Sequence, residues 1–348
     1  MDFGFNDEQQ EIQRTAREFL SARFTLEKVR ELAESRSYDD ALWSEICELG
    51  WPGIAIDEAH GGQGLAMVEL VILCEELGYA CAPSAFLSNA AAGLLIDATG
   101  TDEQRERWLP GIASGEARGA AAFTPDEAPI VPDAEDVAVV VLPEGDGVRA
   151  VEASGAEIDP IELIDPTRSY ARVTASGGEP LPGDPAAGVD RVAVAVAAEL
   201  TGVAQRAMEM AVEYAKEREQ FGRPIGSYQA VSHRCATMFA DTEEARSLTY
   251  YAAWAADAEP ESLSLAAAMA KARASDAAWN VTASALQVLG GIGFTWEHDL
   301  HFLLKRARST GQLMGTSGQY RGRVADLVGL AAEPEHNGKF ASELAGTR

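Results

Sequence analysis

Two glycine-punctuated stretches hold the side chains with the most chemical reach. Glu217-Arg218-Glu219-Gln220-Phe221-Gly222-Arg223-Pro224-Ile225-Gly226 sets guanidinium, carboxylate and amide groups around a proline–glycine turn. By residue type alone it is a helix end and turn with a solvated charge run. Gln287-Val288-Leu289-Gly290-Gly291-Ile292-Gly293-Phe294 closes an alanine-rich segment and by itself reads as a glycine C-cap and loop. Other chemistries fail on spacing. Gly61-Gly62-Gln63-Gly64 follows no buried strand of a βαβ unit, so it suits a turn better than a phosphate loop. His298 and His301 lie three apart, with no carboxylate pair or third histidine at ligand spacing, and no metal site is expected. A serine hydrolase is excluded by the lack of GxSxG.

The elements that must position these groups are mostly helical. Asn6 with Gln9 makes a capping box for a helix through Glu11 to Phe19, whose apolar face is Ile12, Ala16, Phe19 and Leu20. A second helix carries Leu42, Trp43, Ile46 and Leu49 and stops at Gly50. A third, from Met67 to Leu77, is apolar nearly all round and is expected to be buried. A fourth starts at Thr101 with Gln104 in the box position. Between Gly119 and Gly178, short valine-rich runs alternate with proline, glycine and acidic residues, the pattern of a small β domain. Beyond Pro182 long helical patterns return. Leu200, Val203, Ala207 and Ala211 form one stripe, while Tyr228, Val231, Cys235, Met238 and Phe239 are expected to face the core from the next helix. The chain therefore divides into a helical domain (1–118), a truncated β domain (119–180), an antiparallel four-helix bundle (181–332) and a tail (333–348). The fold class is α+β, mostly α. The order helical, β, helical puts a ligand site between domains.

Bulk properties narrow the partners. The 348 residues, 47% hydrophobic, are ample for one or two cores. No apolar run reaches eighteen residues, and Met1 to Asn6 lack the basic start and apolar stretch of a secretory signal. Cys47, Cys74, Cys81 and Cys235 are scattered, as expected for reduced thiols in a cytoplasmic protein. The net charge of -27 repels phosphate backbones and anionic lipids, so neither nucleic acid nor membrane is an expected partner. An anionic ligand must find local positive charge against that field.

Taken together, the motifs resemble those of the acyl-CoA dehydrogenases over nearly the whole chain. Leu49-Gly50-Trp51 with Glu58 and Gly61-Gly62-Gln63-Gly64 is similar to the family's first-domain loop. Glu69 and Glu75-Glu76-Leu77-Gly78 are similar to its next helix, and Trp108-Leu109-Pro110 with Ser114-Gly115-Glu116 to the approach to its β domain. The most specific likeness is Tyr214 to Gly222 with Ile225 to Val231, and Gln287 to Phe294. The resemblance implies a helical, β and helical-bundle fold, FAD as cofactor and α,β-desaturation of an acyl-CoA thioester. It implies that Arg218 meets the pyrophosphate of a neighbour's FAD, where a guanidinium makes paired, charge-assisted bonds. Gln220 and Phe221 flank that contact. Gln287, Gly290 and Gly291 let backbone approach the nucleotide, and Thr316 is placed with the cofactor contacts.

The chain departs from the family in two places. Where many members carry the base glutamate before glycine-threonine, the matching stretch is Leu313-Met314-Gly315-Thr316. A thioether takes no proton, and general-base catalysis is worth roughly 10²–10⁴-fold. The segments that hold the flavin ring are reduced to Phe123-Thr124-Pro125-Asp126 and Ile130-Val131-Pro132-Asp133-Ala134. These losses resemble a subgroup in which a complete, longer subunit and a truncated one share FAD sites in a heterotetramer. No catalytic residue is then expected in this chain. Two alternatives stay open: an autonomous homo-oligomeric enzyme with its base relocated to Glu199 or Asp190, and a non-enzymatic scaffold keeping the fold. Of the two carboxylates, Glu199 is expected to be structural, and Asp190 lies near the alternate base position without matching it.

Overall fold

The structure is a computed structural model that describes residues 4–330; the tail expected at 333–348 lies outside the described residues. Six helices come first: α1 (Asp7–Arg23), α2 (Leu26–Ser35), α3 (Asp40–Glu48), α4 (Met67–Ala80), α5 (Phe86–Thr99) and α6 (Asp102–Ser114). The cap of α1 is the one its sequence announces. The Asn6 carboxamide accepts from the Gln9 backbone at 2.8 Å, and the Gln9 side chain accepts from Asn6 N–H at 3.1 Å. Thr101 and Gln104 do the same for α6. Such caps contribute about 1 kcal/mol each.

As its all-round apolarity requires, α4 is buried. Three of its acids are buried too: Glu76 meets Arg17, Glu75 meets Arg246, and Glu69 accepts from the Gln9 side chain at 2.9 Å. The Gly61–Gly64 loop before α4 is a self-satisfied turn. The N–H groups of Gly62, Gln63, Gly64 and Leu65 all donate to carbonyls between Gly53 and Asp57, leaving none for a phosphate.

Seven strands follow: β1 (Gly119–Ala121), β2 (Ile130–Pro132), β3 (Val139–Glu144), β4 (Gly147–Glu152), β5 (Glu157–Pro160), β6 (Tyr170–Thr174) and β7 (Glu179–Leu181). They form two sheets, ordered β1-β3-β4-β7 and β2-β6-β5, with β1 parallel to β3 and the remaining pairs antiparallel. Gly145 at φ 57° makes the tight turn between β3 and β4. Val131, Val140, Val151 and Val173 pack between the sheets as a separate small core.

The last third opens with α7 (Ala186–Glu217), then a hairpin of β8 (Glu219–Gln220) and β9 (Arg223–Pro224), then α8 (Gln229–Ala258), α9 (Leu263–Leu289), α10 (Leu300–Thr310) and α11 (Ser317–Leu327). The three long helices alternate in direction. Arg191 at the start of α7 donates to the Ala256 carbonyl at the end of α8, and Ser264 at the start of α9 donates to Asp190. The fourth place of the bundle is shared by the short α10 and α11, both packed on α9. The stripe Leu200, Val203, Ala207 and Ala211 is fully buried. Phe239 departs from expectation: it is 56% exposed, while Met238 takes the core position. Helix α7 also meets α4 backbone to backbone. A Cβ on Gly202 would sit 1.9 Å from the Glu75 carbonyl oxygen, so glycine is required there.

Among the described residues no helix is long and apolar enough to cross a membrane.

Candidate functional site

Because α7, α8 and α9 alternate, the C-termini of α7 and α9 lie at the same end of the bundle as the start of α8. Both glycine-punctuated stretches therefore lie at the same end. Arg218 is the C-cap of α7: its N–H donates to the Tyr214 carbonyl and its own carbonyl accepts from Ile225, each at 2.8 Å. The backbone is thus fixed, and the guanidinium has no hydrogen-bond or ion-pair partner among the described residues. The hairpin turns on Phe221 (φ 53°) and Gly222 (φ 78°) and holds the Phe221 ring out, 94% exposed. Tyr228 braces the hairpin from α8, donating to the Gln220 carbonyl at 3.0 Å while Arg223 lies 4.0 Å over its ring. Gln287 is exposed on the last turn of α9, followed by Gly290 (φ 62°) and Gly291. A Cβ on either glycine would meet nothing of this chain, so the space in front of that backbone is open.

The arginines at this end stand without carboxylate partners among the described residues. The chain carries 28 Lys and Arg against 55 Asp and Glu, and most of its arginines are matched to a carboxylate. Arg218, Arg223 and Arg234, on the hairpin and the first turns of α8, have no carboxylate partner among the described residues. Unpaired guanidinium groups, an exposed amide and open glycine backbone form a donor set that suits the phosphates of a dinucleotide. These residues fit FAD as a group held against this end.

The loop between α10 and α11 carries Met314 at φ 65°, half-buried against the core, and Gly315 at φ 118°. Thr316 caps α11: its hydroxyl accepts from Gln319 N–H at 3.2 Å and donates to the Gln319 carboxamide at 3.0 Å. Beneath the loop lies Lys271, fully buried in α9. Its ammonium donates to the Gly311 carbonyl (3.1 Å), the Gly315 carbonyl (3.3 Å) and Ser275 Oγ (3.0 Å). Burial without a carboxylate partner lowers its pKa to about 8. Sequence reading passed over Lys271. The available signal was a single lysine inside the alanine-rich run of α9.

The two carboxylates considered as relocated bases are both tied down. Asp190 is buried and holds Arg323 at 2.8 Å and Ser264 at 2.6 Å, joining the start of α7 to α9 and α11. Glu199 sits where the β domain meets the bundle. Arg168 Nη2 reaches both its oxygens (3.0 and 2.7 Å), Arg306 Nη1 reaches one at 3.0 Å, and Thr310 adds a bond at 3.3 Å. Arg306 also meets Asp165 at 3.0 Å, and Arg168 lies 3.7 Å from Asp133, which accepts from Ser88 and Tyr38. All five charged groups are buried. Burial alone would raise the Glu199 carboxyl, but Arg168 and Arg306 outweigh it and hold it below its usual range. A carboxylate locked ionised between two arginines binds domains together and has no free lone pair aimed at a substrate.

Of the histidines flagged earlier, His298 accepts from the Leu300 N–H at 3.2 Å and His301 packs edge-on to Trp296 at 4.7 Å. No cluster of three or more metal-ligating side chains exists among the described residues.

Comparison with known proteins agrees with this anatomy. Residues 6–116 match the acyl-CoA dehydrogenase N-terminal domain, and residues 185–328 match the acyl-CoA dehydrogenase C-terminal domain. The chain is 38% identical to the acyl-CoA dehydrogenase IpdE2 of Mycobacterium tuberculosis over 285 residues, covering 81% of this chain and 85% of that one. It is 33% identical to the acyl-CoA dehydrogenase FadE34 of the same species over 326 residues, covering 88% of this chain but 44% of that one. Its fold superimposes on a variant of the Tcur3481-Tcur3483 steroid ACAD with a TM-score of 0.86 and 28% identity, covering 93% and 98% of the two chains. The chain belongs to the acyl-CoA dehydrogenase family, and its cofactor is FAD.

Proposed function

We propose that this chain is the non-catalytic half of a hetero-oligomeric acyl-CoA dehydrogenase, working with a longer family member that carries the base. FAD, when bound, supplies the hydride acceptor for α,β-desaturation of an acyl-CoA thioester. The part of this chain is to hold the cofactor from outside. Arg218 would hold the pyrophosphate through charge-assisted bonds, with Gln220 and Phe221 flanking it. Gln287 offers its amide, and Gly290 and Gly291 let the nucleotide lie against bare backbone. The carrying observation is the contrast between Met314, where the family's base belongs, and the unpaired arginines at the bundle end.

Two comparisons favour a joined pair. The match to FadE34 leaves more than half of that protein for a second unit on the same polypeptide. The Tcur3481-Tcur3483 enzyme carries two designations in its name and is called a steroid ACAD. A bulky, steroid-like acyl-CoA is the substrate class this reading favours. The autonomous-enzyme alternative needs Glu199 released from the buried Arg168 and Arg306, which leaves buried cations under-paired, or Asp190 released from Arg323.

The test is the flavin spectrum of the pure chain. Alone it emerges colourless from gel filtration, and with its longer partner it forms a yellow, active complex. Met314→Glu in the isolated chain, given FAD and a panel of acyl-CoAs, stays inactive. Stoichiometric flavin in the partner-free chain, or robust turnover by that variant, overturns the proposal.

A further inference from the structure

Of the buried cations Arg168, Arg306 and Lys271, the lysine alone has no carboxylate partner among the described residues. Its three acceptors are two carbonyls of the α10–α11 loop (residues 311–316) and one hydroxyl of its own helix. Gly311 and Gly315, near the two ends of that loop, are thus held on a single nitrogen. Between these anchors the backbone takes an uncommon path. Met314 stands at φ 65°, a region that disfavours a β-carbon, and Gly315 at φ 118°. The bonds within the loop are local: Leu313 N–H donates to the Thr310 carbonyl and Gly315 N–H to that of Gln312, each at 3.1 Å. They shape the turn without tying it to the bundle. Met314 adds an apolar contact with the core. The polar tie to α9 is Lys271, and the exposed Thr316 follows directly on its second anchor.

We propose that Lys271 is a positioning residue for the cofactor: by tying both ends of the α10–α11 loop to α9 it fixes where Thr316 meets FAD, an inference that rests on Thr316 as a cofactor contact. The tie also outlasts the loss of a proton. As an ammonium, Lys271 donates three bonds. As a neutral amine it donates to the two carbonyls and accepts from the Ser275 hydroxyl, which has no other partner among the described residues. Burial lowers the pKa of the lysine to about 8, so both forms are met near neutrality. The titratable group it faces is Tyr320 of α11, whose ring centre lies 5.2 Å from Nζ. Burial pushes that phenol up to about 12, with Arg323 and Asp190 acting on it in opposite directions, so it stays neutral where the lysine titrates. The loop therefore keeps its place on either side of the lysine's titration.

The experiment has two arms. In the full chain alone, amide hydrogen exchange over residues 311–320 is compared between wild type and Lys271→Met, which keeps an unbranched apolar stem and removes the donor. Exchange at Leu313 and Gly315 is expected to rise about 10-fold or more, as for buried carbonyls left without their donor, while α1 is unchanged. In the complex with the longer partner, the FAD dissociation constant is measured for Lys271→Met, for Thr316→Gly and for the double variant. Glycine removes the hydroxyl at little cost to the α11 cap. Each single change is expected to weaken FAD binding by about 3- to 10-fold, the worth of one hydrogen bond. The double variant loses no more, because both changes act through one contact. Wild-type affinity is expected to stay flat from pH 7 to pH 9. Unchanged exchange in Lys271→Met overturns the tie itself. Raised exchange with unchanged FAD affinity, or with additive losses, makes Lys271 structural and overturns the positioning role. Unchanged affinity in Thr316→Gly overturns the proposal through the cofactor contact beneath it, a failure that the exchange arm keeps distinct from failure of the tie.

Discussion

Arginine does opposite work in two regions of this molecule. At the domain junction, Arg168 and Arg306 are buried and share Glu199, Asp165 and Asp133 among them. At the bundle end, Arg218, Arg223 and Arg234 belong to exposed elements and meet no carboxylate among the described residues. The first set makes its ion pairs inside the chain, with Arg168 Nε the one nitrogen of the pair left without a hydrogen bond. Its charges cost desolvation that only complete pairing offsets. The second set keeps its capacity for something outside. In a chain with about twice as many acids as bases, an arginine left unpaired is more informative than one in an ion pair, since carboxylates are plentiful nearby.

Breaking the buried set gives the largest expected effect. Arg306→Ala strips Glu199 and Asp165 of a partner and leaves buried carboxylates under-compensated. The expected loss is about 3–5 kcal/mol of stability, read as a lowered denaturant midpoint. The same cluster sets an acid limit. The folded Glu199 carboxyl is held below its unfolded value, so its contribution is complete above the unfolded carboxylate range. It is lost as the pH falls through the folded value. In Glu199→Gln that part of the acid dependence disappears. An Arg306→Ala protein as stable as wild type would mean that the junction is wet and the two regions do not differ in kind.

Lys271 is an intermediate case, a buried cation satisfied by two carbonyls and a hydroxyl, with no carboxylate. Its folded pKa of about 8 lies below the unfolded value of 10.5. Between those limits the unfolded chain binds more protons, so stability rises with pH across the window. Lys271→Met removes that rise. It also leaves the Gly311 and Gly315 carbonyls without their donor, a cost of about 1–3 kcal/mol at neutral pH. Urea midpoints of the two proteins at pH 7.5 and pH 10 check both statements. A wild-type midpoint that does not rise relative to the variant contradicts them.

Sequence legibility followed the same divide between local and distant. The capping boxes of α1 and α6 and the stop at Gly50 were readable because donor and acceptor lie within one turn of chain. The fold class followed from periodicity and turn residues. Helices α2 and α5 went unread. The first is short, and the second is an apolar and alanine run without a polar face. Phe239 was assigned inward by spacing, yet on α8 the periodicity is blurred by alanine and only Met238 is buried there. The junction cluster was illegible for a physical reason. Arg168, Glu199 and Arg306 are 31 and 107 residues apart along the chain, and nothing local marks them as partners. The bundle-end residues were named from motif likeness, but their lack of carboxylate partners becomes visible only when every other cation is placed.

The smallest expected effect on stability belongs to Arg218. Its backbone already makes the cap and hairpin bonds, and its guanidinium has no hydrogen-bond or ion-pair partner among the described residues. Arg218→Ala should therefore shift stability by no more than about 0.5 kcal/mol, as for surface positions generally. In the complex with a longer partner the same change removes a charge-assisted phosphate contact, worth about 1.5–3 kcal/mol. Flavin retention should then fall by about 10-fold or more, while Arg218→Lys recovers only part of it because an ammonium lacks the paired geometry. The measurement is the FAD dissociation constant of the assembled enzyme, beside a thermal melt of the isolated chain. If the melt moves and flavin affinity does not, Arg218 is a structural residue like Arg306, and the contrast between the two ends of the molecule fails.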